Sequence, residues 1–129
     1  MEMRALSTLL GIAAVTLTLV ANAQEEPCRN DGSGRDAAVC AHDDFVRADA
    51  QLNEAYQAAL RMLSADSDRP GMRTALVAAQ QQWIKFRDAD CQVQDRIFSG
   101  GSLRDAIVLS CLKSVTEQRT KELKQISLP

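Results

Sequence analysis

A single histidine, His42, is all the imidazole this 129-residue chain has. That rules out a His-rich metal cluster, and any His-dependent nucleophile would have to rely on that one side chain. The four cysteines (Cys28, Cys40, Cys91 and Cys111) contain no Cys-x-x-Cys pair, and the lone Cys40-x-His42 fits no zinc spacing. Adjacent glycines occur only at Gly100-Gly101, where they join helix to helix, so there is no strand-to-helix loop to cradle a phosphate. Nothing alternates as a strand does, nothing repeats, and no tract is of low complexity. The formal net charge of −2 gives neither nucleic acid nor an anionic membrane an electrostatic reason to bind. These gaps argue against an enzyme and leave no expected metal or cofactor.

The N-terminal residues carry a targeting pattern. Arg4 gives a short basic start, diluted by Glu2. Ala5 to Val20 is apolar apart from Ser7, Thr8, Thr16 and Thr18, and Ala21-Asn22-Ala23 is the small-x-small sequence that signal peptidase accepts. A membrane span needs about 20 predominantly apolar residues, and this run is shorter. Residues 1–23 therefore read as a signal peptide and the mature chain as periplasmic or secreted. No cysteine immediately follows Ala23, which argues against a lipoprotein-type anchor. In an oxidising compartment an even number of cysteines in a small domain reads as a disulfide framework. The domain needs such staples, because a chain this short buries a limited core.

Residues 24–35 contain Pro27, Gly32 and Gly34 among polar side chains and read as an irregular lead-in. Residues 36–129 form a helical domain. Asp36 is a plausible N-cap for the first helix, which runs to about Leu63. Its apolar stripe is Phe45, Leu52, Tyr56, Ala59, Leu60 and Leu63. A break at Ser64 to Gly71 leads to a helix from about Met72 to Phe98. There Met72, Leu76, Ala79, Trp83, Phe86 and Ile97 form the central stripe, widened by Val77, Ile84 and Cys91. Ser102 can cap a third helix that continues to about Ile126. Its apolar arc holds Ile107, Val108, Cys111, Leu112, Val115, Leu123 and Ile126.

Short loops between three helices make an all-α, antiparallel up-down-up bundle. Cys91 lies nine residues before Gly100 and Cys111 ten after Gly101, so a hairpin at the glycines brings the two level. Cys91–Cys111 is therefore the favoured pair, and Cys28–Cys40 follows by elimination.

Four charges fall within these apolar arcs: Asp49, Arg87, Asp90 and Arg119. Buried charge is costly unless paired, so they are expected to form an interhelical network that fixes register, with Asn53, Gln80 and Thr116 beside it. The competing reading is a ligand pocket around Asp49 and Arg87. His42, beside the first stripe, is expected to be a partly buried packing residue. Charge is uneven along the chain, with ten acids and five bases from Gln24 to Met72 and six acids and nine bases from Arg73 to Pro129. The acidic first half suits a cationic partner, and Asp66 and Asp68, in the break, are candidate partner contacts.

Ala48-Asp49-x-x-Leu52-Asn53-x-x-Tyr56 is followed by Leu76-x-x-Ala79-Gln80-x-x-Trp83-x-x-Phe86-Arg87-Asp88-x-x-Cys91, then by Gly100-Gly101-Ser102 and Cys111-x-x-x-x-Thr116-x-x-Arg119-x-x-x-Leu123. This order resembles the LprI-type lysozyme inhibitor N-terminal domain across nearly the whole mature chain, the Cys28/Cys40 pair included. The resemblance implies an exported helical domain that inhibits a lysozyme by occluding its cleft. A structural or envelope-stress protein binding another periplasmic partner is the alternative, and a small-molecule-binding bundle a third.

Overall fold

The computed structural model describes residues 28, 32–65 and 70–126. The expected signal peptide, most of the lead-in, and Asp66 and Asp68 lie outside them. Among the described residues all regular structure is helical: α1 (Gly34–Ser64), α2 (Met72–Ile97) and α3 (Arg104–Lys124).

The helix starts differ from expectation in two places. Ser33, not Asp36, caps α1, and its hydroxyl accepts the Asp36 N–H at 3.1 Å. Asp36 instead lies in the first turn, where a carboxylate suits the positive end of the helix dipole. Ser102 does not cap α3, which begins after Leu103 without a side-chain cap. The backbone there has another task, because the Ser102 carbonyl packs directly on Gly34. A Cβ at Gly34 would collide with it, so glycine is what allows α1 to start against the α2–α3 turn. That turn reverses at Gly100 with φ 81°, a left-handed conformation that glycine adopts freely.

The order is up-down-up. The N-termini of α1 and α3 meet at Gly34 and Ser102, Lys113 reaches Asp44 at 3.4 Å midway, and Met62 and Leu123 line one groove near the C-terminal ends. α1 packs most closely on α3 and least closely on α2. Residue size explains the difference. Ala48, Ala55 and Ala59 of α1 and Thr116 and Thr120 of α3 are all buried, and such small side chains let the backbones approach. Thr120 donates its hydroxyl to the Thr116 carbonyl at 2.9 Å. The Thr116 hydroxyl oxygen is buried and, among the described residues, has no partner.

The hydrophobic core occupies one end of the bundle. Leu52, Ala55, Ala59, Leu60, Leu63, Leu76 and Leu123 form it, with Tyr56, Met72, Trp83 and Ile126 packed against them. The other end is held by cystine. Cys91–Cys111 staples α2 to α3 across a Cα–Cα distance of 5.7 Å, as the hairpin geometry predicts, and Cys28–Cys40, the pair left by elimination, ties the lead-in to α1. Arg104 joins Asp95 beside the first of these.

The apolar arcs of α1 and α3 face inward as expected, but that of α2 is turned. Its inward side is Leu76, Gln80, Trp83, Arg87 and Cys91, spaced i, i+4, i+7, i+11 and i+15. Ala79, Phe86 and Ile97, expected on the central stripe, are exposed. Gln80 and Arg87 can take the interior because each finds partners there. The rotation that admits them leaves Phe86 in water.

Candidate functional site

The polar groups of α2 meet those of α1 and α3 around Trp83. The Arg87 guanidinium stands 5.4 Å from the Trp83 ring centroid and 5.5 Å from that of Phe45, and Arg119 stands 6.0 Å from Trp83. Trp83 thus carries two arginines. At 12% and 17% exposure, the Arg87 and Arg119 side chains are largely buried. Arg87 donates to Asp49 at 3.3 Å and to Asp88 at 2.9 Å. Arg119 donates to the side-chain amide oxygen Oε1 of the buried Gln80 at 3.1 Å and to Glu122 at 3.0 Å.

The arrangement differs from a buried four-charge network. The two arginines lie inward, whereas the Asp49 side chain is 51% exposed. Asp90 is exposed and, among the described residues, has no hydrogen bond or salt bridge. The split follows from side-chain chemistry. Arginine can lay its stem along apolar surface and stack its guanidinium on rings while its nitrogens reach acids at the rim. A carboxylate on a short stem has no such option, so the acids stay at the edge. His42 also departs from expectation, with a side chain 61% exposed beside Asp43.

A cavity of about 280 Å³ opens between α1 and α2, bounded by Asp49, Asn53, Tyr56, Gln80, Ile84 and Arg87. It is smaller than the roughly 300–1,000 Å³ of most small-molecule sites, and Arg87 on its wall is already committed to Asp49 and Asp88. The Asp90 carboxylate lies within 4.8 Å of the Cys91 and Cys111 sulfurs. Those sulfurs are bonded to each other, so the trio offers a cation a single carboxylate and is no metal centre. Among the described residues no helix is long and apolar enough to cross a membrane.

These features define a small, cystine-stapled helical bundle whose inward arginines are held by rings and polar groups of the same chain. The chain belongs to the LprI lysozyme inhibitor family, whose sequence model matches residues 28–123, the whole span from the first cysteine to the core leucine of α3. It is also similar to a protein of Rhizobium meliloti (strain 1021) described as uncharacterized protein R02472. The two are 37% identical over 119 residues, covering 84% of this chain and 86% of that protein. No solved structure matches.

Proposed function

We propose that the mature protein is an exported, non-enzymatic inhibitor that binds a lysozyme and occludes its cleft. The family match across the whole helical domain carries this reading. The organisation of the bundle supports it. Its buried arginines are engaged by rings and acids of the same chain, and its cysteines are bridged, so the chemistry on offer is surface recognition. The signal-peptide pattern ending at Ala23 directs the chain out of the cytoplasm, where lysozymes act on the wall. Chicken-type lysozymes are often basic, and the excess of acids from Gln24 to Met72 favours encounter with such a partner. Asp66 and Asp68 are candidate contacts on charge alone.

The test is lysis of bacterial walls by lysozymes of several classes in the presence of the purified mature protein. Lysis should slow in proportion to measured binding. An absence of inhibition against every class at about 100 μM protein, where even a weak complex of ~10 μM Kd would be nearly saturated, overturns the reading.

A further inference from the structure

Phe86, Asp90, Val93 and Ile97 follow one another at i, i+4, i+7 and i+11 and so share one side of α2. Their apolar members are unusually open: Phe86 is 59% exposed, Val93 54% and Ile97 65%. Asp90, set among them, stands apart from the other acids of the helix. Asp88 holds Arg87, and Asp95 holds Arg104. Among the described residues Asp90 holds nothing. The face is thus a stripe of bulky apolar side chains with one uncommitted carboxylate in its middle.

That combination restricts what can cover it. A partner that closes over the stripe gains by removing apolar surface from water, but it also strips water from the carboxylate, which is costly unless a cation replaces it. A neutral or acidic surface fails on that account. A second copy of the chain fails as well. The apolar cluster spans residues 86 to 97, and laying it antiparallel on itself sets each Asp90 opposite the other copy's Val93, with the two carboxylates only about 4.5 Å apart along the axis and no cation of the stripe between them. The complementary surface is basic, with an arginine or lysine framed by apolar groups. The ring of Phe86, Val93 and Ile97 would then shield the ion pair from solvent, the setting in which a charged contact contributes most to a protein interface.

The face is also held in place. Cys91, next to Asp90, is 1% exposed and bonded to Cys111 of α3. Binding therefore does not have to order the helix, which lowers the entropic cost of association. Of the bases nearest in sequence, Arg87 is held by Asp49 and Asp88, while Lys85 and Arg96 lie about a quarter-turn or more around the helix from the stripe, so among the described residues none pairs with Asp90. We propose that the Phe86–Asp90–Val93–Ile97 face of α2 is the docking surface for a basic protein, and, resting on the inhibitor reading above, that it is where a basic lysozyme seats.

The experiment compares binding of a basic chicken-type lysozyme by the wild-type protein, Asp90→Asn, Asp90→Lys and the double variant Phe86→Ser/Val93→Ser, at low and high salt. Melting and sedimentation are recorded for each. All the substituted positions are exposed, so the variants should fold. Asp90→Asn should weaken binding about tenfold and Asp90→Lys about a hundredfold, and the double variant should lose at least about tenfold. Asp90→Asn should also flatten the salt dependence. A wild-type protein that binds and inhibits while all three variants bind equally well overturns this placement and leaves the inhibitor reading intact. A wild-type protein that binds no lysozyme removes that reading and the placement with it. Self-association abolished by Phe86→Ser/Val93→Ser would assign the face to a second copy and overturn the proposal.

Discussion

The two ends of this bundle are held together by different forces. Toward the C-termini of α1 and α3, leucines and alanines from three helices pack into a core. Toward the α2–α3 turn, among the described residues, the buried apolar side chains outside that core are Ala48 and Cys91, and the helices are joined by cystine, by the Arg104–Asp95 pair and by the fit of Gly34 against Ser102. Most exposed large apolar side chains fall on the same side. Val39 and Val46 of α1, Phe86, Val93 and Ile97 of α2, and Phe98 and Leu103 at the turn belong to the cystine half, whereas Ile84 lies beside Leu52 and Tyr56. A covalent link removes the need to bury such residues for stability, and they become free to meet something else. The leucine end is a scaffold, and the cystine end is a surface.

The most severe test of this division is Leu123→Ala. Leu123 is 2% exposed and lies where α1, α2 and α3 converge. Loss of its side chain should cost about 3–5 kcal/mol, read from denaturant unfolding, with amide exchange accelerating first around Leu60 and Leu63. Removing the staple by Cys91→Ser with Cys111→Ser should come next, at about 3 kcal/mol for a loop of this size, the cysteines being 20 residues apart. Exchange should then accelerate first around residues 91–111, with protection near Leu60 retained. If both variants opened the whole bundle uniformly, the two ends would be one cooperative unit and the division would fail.

Arg87→Ala probes the boundary between the ends. Its partner Asp49 is half in water, so a full buried-pair penalty does not apply. Loss of two ring contacts and the packed stem should cost about 1–2 kcal/mol. Arg87→Lys should recover less than half of that in thermal melting, because an ammonium cannot stack on both rings. Thr116→Val is the smallest change and has the opposite sign. It replaces a buried hydroxyl that has no partner among the described residues with a methyl of similar size, and should stabilise the protein by about 1 kcal/mol. Its melting temperature should rise, and a fall would show that the hydroxyl is satisfied in solution.

Helix number, helix bounds to within about two residues, direction and both cysteine pairs were legible in the sequence, because helical periodicity and loop length constrain a bundle of this size tightly. The orientation of α2 was not. An apolar count favours Phe86 and Ile97 as inward residues. The network expectation brings Arg87 to Asp49, as found, but nothing local reveals that Arg87 also stacks on Phe45 or that Gln80 meets Arg119 across the bundle. The site inherited that error. Asp90 lies near the predicted inward stripe and so looked like a network member, whereas the true rotation carries it outward among exposed apolar neighbours. One clue was available. A helix with more apolar residues than a single face can bury, as α2 has with Phe86, Val93 and Ile97 beside Leu76 and Trp83, must leave some of them uncovered.

The cysteines pair in the order in which they occur, first with second and third with fourth. A chain that emerges N-terminus first presents Cys28 and Cys40 to an oxidant before Cys91 and Cys111 have appeared. Joining sulfurs simply in order of arrival therefore yields the native set. Such a protein needs a catalyst that makes bridges and none that reshuffles them by thiol–disulfide exchange, and its yield in a cell should depend on oxidase and be indifferent to isomerase.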